Sequence, residues 1–147
     1  IRLYAWRDAE VLLDYGVLGP VELAEMKRYF LELLELPYEH PRRSAWSRVK
    51  YWLEKGIITL EEVRERKRYF LELLKSTHVN TRLSAWEDAE VLLDYGVLYP
   101  GELAEMKGYL FDLLESSNEG LRSGAERVVR DLIKKGVLRK EDLIGAR

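Results

Sequence analysis

The sequence predicts an all-α fold in which two-helix units of forty residues are stacked along the chain. The segment KRYFLELL at residues 27–34 returns unchanged at 67–74 and nearly unchanged, as KGYLFDLL, at 107–114. Apolar residues inside each unit follow helical spacing rather than the alternation of a strand. A fixed period of this kind is typical of a repeat array, whose units bury their apolar faces only against one another. We therefore treat residues 1–147 as one domain divided into units 1 to 4: 1–40, 41–80, 81–120 and a partial capping unit, 121–147.

The first helix of a unit is clearest in unit 3, in the stretch TRLSAWEDAEVLLDYG at residues 81–96. Its apolar residues fall on one face, as expected of a helix with a single buried side. Gly96 is expected to end the helix in the left-handed conformation, which is cheap only without a Cβ atom. The apolar Val97 that follows completes the pattern of a Schellman cap. The expected buried face consists of Ala85, Trp86, Ala89, Leu92 and Leu93, and the expected cap recurs at Gly16, Gly56 and Gly136.

The second helix of each unit begins with its own signals. Pro20 and Pro100 suit the first turn of a helix, and Thr59 with Glu62 forms a capping-box pattern. The apolar arc of this helix is wider than contact with one neighbour requires, so we expect it to touch several helices. In unit 3 that arc holds Leu103, Ala104, Met106, Leu110, Phe111, Leu113 and Leu114. The repeated KRYFLELL is thus the core-facing part of the second helix, and it recurs because each copy has the same surroundings.

Composition excludes several classes of function. The 24 basic and 26 acidic residues nearly cancel, so the chain has no global attraction for polyanions. It has no cysteine, which excludes disulfides and thiolate chemistry, and no apolar run reaches the ~20 residues of a membrane span. These features predict a cytoplasmic protein. The absence of glutamine, together with 34% charged residues, favours a hyperthermophilic origin.

The forty-residue period and the two amphipathic helices per unit resemble HEAT-repeat and armadillo-like α-solenoids; tetratricopeptide and ankyrin periods are shorter, at about 33–34 residues. HEAT units typically carry a proline in the first helix and an aspartate near the turn, followed by a basic residue in the second helix. Neither the proline nor the aspartate is present here, although Lys27, Lys67 and Lys107 stand at places for the basic residue. The resemblance implies a right-handed α-solenoid whose second helices line a concave partner-binding face.

The side of the second helices opposite the apolar arc carries the candidate binding residues. A tyrosine recurs at its centre in units 1 to 3, flanked by carboxylates, and tyrosine is frequent in binding hot spots because it combines large contact area with a polar tip. The alternative is that these rings only border the core between units. The predicted partner-binding residues are Glu25, Arg28, Tyr29, Glu32, Glu65, Arg68, Tyr69, Glu72, Glu105, Tyr109 and Asp112.

Other recurring residues are interpreted as structural. Trp6, Trp46 and Trp86 are expected to fill the volume between units, and the lysines inside the apolar arc are expected to reach carboxylates or carbonyl ends of a neighbouring unit. Charges at equivalent first-helix positions alternate in sign, which predicts ladders between adjacent units. The predicted ladders are Asp8 with Arg48 and Asp88, and Glu10 with Lys50, Glu90 and Arg130.

The sequence leaves three functions open. The first is a protein–protein interaction scaffold that takes up a helix or extended segment, favoured to be basic. The second is nucleic-acid binding, as in some HEAT-like DNA glycosylases, through local basic residues. The third is an engineered array, which irregular turns such as LPYEHPRR disfavour. No nucleophile triad, phosphate loop or metal motif is present, so neither an enzyme nor a cofactor is predicted. The basic residues are Arg64, Arg66, Lys67 and Arg68, and Arg122, Arg127, Arg130, Lys134, Lys135, Arg139 and Lys140.

Overall fold

The computed structural model describes residues 10, 11, 14, 16 and 19–146. The regular structure of the described residues consists of α-helices and 3₁₀ turns, without any strand. This confirms the predicted all-α class. No helix among these residues is long and apolar enough to cross a membrane. The helices are α1 (Pro20–Leu33), α2 (Glu39–Trp46), α3 (Val49–Glu54), α4 (Leu60–Arg64), α5 (Lys67–Leu71), α6 (Val79–Asp94), α7 (Pro100–Glu105), α8 (Lys107–Phe111), α9 (Glu119–Lys134) and α10 (Lys140–Ala146), with 3₁₀ turns at Glu72–Lys75 and Asp112–Glu115.

The first helix of unit 2 is divided, although it is continuous in units 3 and 4 as α6 and α9. The break lies between α2 and α3, where the Ser47 hydroxyl lies 3.1 Å from the Arg43 carbonyl and 2.7 Å from the Asp88 carboxylate, so its one proton is shared between the two acceptors. Back-bonding of this kind tends to bend a helix, because the side chain competes for a backbone acceptor. The equivalent residues in units 3 and 4 are Glu87 and Arg127, which lack the hydroxyl.

The second helices of units 2 and 3 are also divided, between α4 and α5 and between α7 and α8. At the first break the backbone N–H of Arg66 turns to the Val63 carbonyl at 3.0 Å. The Glu62 carbonyl that it would meet in an α-helix instead accepts from the Arg66 guanidinium at 2.8 Å. Both second helices then tighten into the 3₁₀ turns that follow α5 and α8.

The predicted glycine caps are confirmed. Gly16, Gly56, Gly96 and Gly136 have φ angles of 69°, 72°, 81° and 79°, in the left-handed region. In the third of these caps the N–H of Val97 donates to the Leu92 carbonyl at 2.9 Å and that of Gly96 to the Leu93 carbonyl at 3.1 Å. These are the two hydrogen bonds of a Schellman motif, so they satisfy carbonyls that the helix end would leave unpaired.

The second-helix starts are also as predicted. Pro20 and Pro100 occupy the first helical position of α1 and α7. Thr59 and Glu62 exchange hydrogen bonds in a capping box at the start of α4, with 3.1 Å from the Glu62 N–H to the Thr59 hydroxyl.

A single apolar core runs through the described units. The predicted faces of α6, α7, α8 and the turn after α8 are buried within it, apart from Ala104, Leu93 and Met106, which are partly covered. Trp46 and Trp86 are fully buried, as predicted, while Trp6 lies outside the described residues. Trp52 adds a third buried indole, stacked on Phe30 with the ring centroids 4.7 Å apart.

Successive units pack in a repeated way. Each of the first helices α2 and α6 contacts the second helix of the preceding unit, the second helix of its own unit and the first helix of the next unit. Each second-helix lysine reaches a carboxylate of the next unit, as predicted. That carboxylate also accepts from the backbone N–H three residues before it, at the start of the next second helix. The three bridges are Lys27–Glu62 at 2.8 Å, Lys67–Glu102 at 2.8 Å and Lys107–Asp142 at 3.0 Å.

The predicted charge ladders occur in a different register. Asp88 accepts from the Ser47 hydroxyl at 2.7 Å instead of pairing with Arg48, whose guanidinium binds Glu10 at 2.5 and 3.1 Å. Most contacts between first helices join residues forty or forty-one positions apart, such as Lys135 with Asp94 at 2.8 Å. Adjacent first helices are therefore offset by about one residue, and the predicted pairs of Lys50 with Glu10 and with Glu90, and of Glu90 with Arg130, are not among the ion pairs of the described residues. Asp8 lies outside the described residues.

Candidate second-helix face

The predicted partner-binding residues lie on the accessible side of the second helices of units 1 to 3. We call these eleven residues the second-helix face. Nine of them are exposed, and Tyr29 and Tyr69 are half-buried. They belong to α1, to the segment from the end of α4 through α5 to the 3₁₀ turn, and to the matching segment of unit 3. The 3₁₀ turn after α5 in unit 2 contacts α8 in unit 3. The segments that carry the face residues of these two units are therefore neighbours in space.

Arginine and tyrosine are paired in units 1 and 2. The guanidinium carbon of Arg28 lies 5.6 Å from the centre of the Tyr29 ring, and that of Arg68 lies 4.8 Å from the centre of the Tyr69 ring. Arg68 also donates to the Tyr69 hydroxyl at 3.0 Å. Cation–π contact holds the exposed guanidiniums against the rings, so the ring faces on that side are covered.

Tyr109 differs from the other two tyrosines. The preceding residue is Gly108, where units 1 and 2 have arginine, and a Cβ atom at this glycine would meet nothing within 4 Å. The Tyr109 ring is consequently 42% exposed, the highest value of the three. Among the described residues these three rings make no ring contact with one another. The most accessible aromatic anchor of the face therefore lies in unit 3.

The carboxylates of the face fall into two groups. Asp112 is bound at 3.0 Å by Arg82, a nearly buried arginine of α6, and Glu72 and Glu65 have local basic neighbours at 3.5 and 3.8 Å. The second group forms no ion pair among the described residues and consists of Glu25, Glu32 and Glu105. With six carboxylates against two arginines, the face is acidic, and half of its carboxylates are available to a partner.

A shallow depression lies at the unit 1 end of the face. Its volume is about 350 Å³, and it is lined by Pro20, Val21, Ala24, Glu25 and Arg28. Val21 is 69% exposed, so its apolar side chain is accessible at the surface of the depression. The depression thus combines an apolar floor with a carboxylate and a guanidinium at its edge.

The basic residues that suggested nucleic-acid binding are largely engaged within the chain. Lys67 and Arg66 bind carboxylates of neighbouring units at 2.8 and 2.9 Å, and Arg64 donates to the Gly96 carbonyl at 2.9 Å. Arg127 pairs with Glu87, and Lys135 pairs with Asp94. These contacts occupy five of the eleven basic side chains, which leaves fewer of them available to bind phosphates.

Two features escaped the sequence prediction. Arg42 and Arg82 are only 7% and 8% exposed, and Arg42 donates to the Leu36 carbonyl at 2.6 Å. The signal was present, because arginine recurs at residues 2, 42, 82 and 122. Tyr99 is 49% exposed and lies with its ring centre 4.6 Å from the Lys67 ammonium, which is a cation–π contact. The forty-residue repeat does not indicate a binding role for Tyr99, because units 1 and 2 have Gly19 and Thr59 at the equivalent position.

The described residues contain no group of three or more histidine, aspartate or glutamate side chains placed to hold a metal ion. His78 lies 3.2 Å from Glu39, which also accepts from the Ser76 hydroxyl at 2.8 Å, so it belongs to a turn-stabilising cluster. Comparison of the chain with models of known families, with curated proteins and with solved structures gives no match.

Proposed function

We propose that this chain is a protein–protein interaction scaffold, a right-handed α-solenoid of HEAT-like units that binds a basic protein segment along its second-helix face. The observation that carries the proposal is the composition of that face, which holds three tyrosines of differing accessibility among six carboxylates. Three of these carboxylates have no ion-pair partner among the described residues. Tyrosine anchors within an acidic surface suit a basic segment, because the rings supply contact area and the carboxylates supply complementary charge.

The solenoid geometry is supported by the repeated contacts between units. First helices contact the first helices of neighbouring units, and second helices contact neighbouring second helices. The lysine bridges join equivalent positions in three successive pairs of units. Such translation along the chain would set the second-helix faces in a row, so that one extended segment could touch several units.

The test is affinity capture from a lysate of the source organism with three forms of the full chain. The forms are the native protein, a triple variant with Tyr29→Ala, Tyr69→Ala and Tyr109→Ala, and Tyr38→Ala as the matched control. Tyr38 is 71% exposed, precedes α2 and is not one of the eleven residues of the second-helix face. Circular dichroism and melting temperature verify that every form is folded.

We expect the native chain and Tyr38→Ala to retain the same protein, and the triple variant to lose it. Replacing the three unpaired carboxylates, as Glu25→Lys, Glu32→Lys and Glu105→Lys, should also abolish capture if the partner is basic. Equal capture by all forms would contradict the proposal. Recovery of nucleic acid that disappears on nuclease treatment and with rising salt would favour the second function instead.

A further inference from the structure

Two ion pairs join the first helices of units 3 and 4. These helices, α6 and α9, pack directly against each other, and both lie entirely within the described residues. We call their contact the unit 3–4 junction. Lys135 binds Asp94 at 2.8 Å, and Arg127 pairs with Glu87, two helical turns earlier on α6. The paired residues are forty or forty-one positions apart, so a residue midway between the pairs on α6 faces one about forty-one positions later on α9.

The residues midway between the two ion pairs are both acidic. Glu90 of α6 and Asp131 of α9 are forty-one positions apart, each is half-buried, and their carboxyl groups lie within hydrogen-bonding reach of each other. Two carboxylates this close repel each other, so one of them tends to keep its proton. The proton then forms a hydrogen bond between the two helices. In agreement with this sharing, burial and then Asp131 raise the pKa of Glu90 to about 7.

The acidic pair is particular to this junction. At the equivalent place units 2 and 3 have Lys50 and Val91, and units 1 and 2 have Glu10 and Tyr51. Lys50 is exposed, and the Tyr51 hydroxyl donates to the Glu10 carbonyl at 3.1 Å. Neither of these combinations places two ionisable acids against each other. The repeat therefore does not require an acidic pair for first helices to pack.

The charged groups that act on Glu90 come from α9 and its C-cap. They are Asp131, and then Lys135 and Arg127, which favour the ionised form. Because both cations already bind a carboxylate of α6, they offset the repulsion of the acidic pair only in part.

The other elements that pack on α6 or α9 are α2, α8 and the two 3₁₀ turns. Their charged groups, and those of α6 itself, have other partners or are exposed. The partnered groups are Glu39 with His78, Arg42 with the Leu36 carbonyl, Arg43 near Asp88, Asp88 with Ser47, Glu72 with Lys75, Arg82 with Asp112 and Lys107 with Asp142; His40 and Glu115 are exposed.

We propose that the unit 3–4 junction is a pH-sensitive contact, which is closed while Glu90 and Asp131 share one proton and loosens when both carboxyl groups are ionised. Loss of the proton replaces a hydrogen bond between the helices by repulsion between two partly covered charges. α9 also packs on α8 and on the 3₁₀ turn after it, which carry Tyr109 and Asp112 of the second-helix face. The support of this part of the face would therefore depend on pH, whatever the face binds.

The test is hydrogen exchange of the backbone amides of the full chain at pH 5 and pH 8, expressed as protection factors that remove the intrinsic effect of pH on exchange. We expect the protection of α9 to be ~10-fold lower at pH 8, because the folded junction gives up a proton that the unfolded chain has already lost at pH 5. The protection of α2 should stay constant, since the units of an array can open separately. Constant protection of α9 in the native chain would overturn the proposal.

Two variants assign the effect to the acidic pair. Glu90→Gln and Asp131→Asn each remove one ionisable group and keep a side chain that can form a hydrogen bond, so the protection of α9 should change by less than ~2-fold between the two pH values. Glu105→Gln is the matched control, because it changes an exposed carboxylate of α7 and should keep the native response.

The comparison between variants and between helices can contradict the assignment. A native response in both Glu90→Gln and Asp131→Asn would overturn the proposal. An equal fall in the protection of α2 and α9 would also overturn it, because the proton would then act on the stability of the whole chain and not on this junction.

Discussion

At the scale of single residues, the buried indoles contribute both packing and a hydrogen bond. Trp46 is 1% exposed, contacts the Phe70 ring, and donates to a carbonyl at the end of the preceding second helix. One side chain thus joins two units and satisfies a backbone group that the helix end would otherwise leave without a partner.

We expect Trp46→Ala to lower the free energy of unfolding by ~3–5 kcal/mol, because it leaves a cavity and an unpaired carbonyl. Urea denaturation followed by circular dichroism measures the change. Tyr69→Ala serves as the comparison, and as a surface substitution it should cost no more than ~1 kcal/mol. A loss from Tyr69→Ala as large as that from Trp46→Ala would show that the tyrosine belongs to the core.

Glu90 is a second residue whose surroundings affect stability. Burial, and then the nearby carboxylate of Asp131, raise the pKa of Glu90 to about 7, although Lys135 and Arg127 act in the opposite direction. The unfolded chain has a glutamate pKa of ~4.3. Between these values the folded chain binds a proton that the unfolded chain does not, so this contribution is present at low pH and is lost as the pH rises through about 7.

We expect the melting temperature of the native chain to fall more steeply between pH 5 and pH 8 than that of Glu90→Gln, which cannot ionise. Scanning calorimetry over a series of buffers measures both slopes. Glu105→Gln, which changes an exposed carboxylate elsewhere, should keep the native slope. Parallel curves for native chain and Glu90→Gln would mean that Glu90 titrates alike in the folded and unfolded chains.

At the scale of elements, the first helices of units 2, 3 and 4 end in the same way. The left-handed glycine and the two hydrogen bonds around it let the chain reverse between the first and second helices of a unit. Glycine inside α8 has no such role, because Gly108 lies in helical backbone with open space where a Cβ atom would stand.

These two positions give a matched pair of substitutions. We expect Gly96→Ala to destabilise the chain by ~1–2 kcal/mol, since a Cβ atom is strained at a φ of +81°. Gly108→Ala should instead stabilise the chain by ~0.5–1 kcal/mol, because alanine favours the helix. Chemical denaturation measures the change in the free energy of unfolding for both variants, which should have opposite signs. A loss of stability from Gly108→Ala would contradict the expectation that α8 has room for a Cβ atom at this position.

At the scale of the whole molecule, the lysine bridges link one unit to the next. Lys67 and Glu102 are only 26% and 25% exposed, and the Glu102 carboxylate also accepts from the Tyr99 N–H at 2.8 Å. The carboxylate therefore fixes both the start of α7 and the position of the neighbouring second helix. Its dual role explains why a lysine is tolerated inside an otherwise apolar arc.

A double-mutant cycle with Lys67→Met and Glu102→Gln measures this link. Glutamine keeps an acceptor for the helix start while removing the charge, so the cycle isolates the ion pair. We expect a coupling energy of ~0.5–1 kcal/mol, which is typical of a partly covered pair. Additive effects of the two substitutions would assign the lysine a role in packing alone.

The sequence by itself determined the all-α class, the glycine caps and the buried faces, but not the breaks that divide the first helix of unit 2 and the second helices of units 2 and 3. Apolar spacing and left-handed glycines act within a few residues, so Gly96 and Trp86 could be interpreted without knowledge of their neighbours. Most of the second-helix face was likewise found on accessible surface, because exposure follows from the face opposite the apolar arc.

The tertiary structure alone decided which groups meet between units. Equal spacing along the chain identifies equivalent positions, but the offset between packed helices depends on how their side chains interlock. Asp88 therefore meets Ser47 and not Arg48, Asp112 is held by Arg82, and the Tyr109 ring is more exposed than its counterparts. The Asp88–Ser47 contact joins residues forty-one positions apart, and the Asp112–Arg82 contact joins residues thirty positions apart. The repeat period does not fix the geometry of either contact.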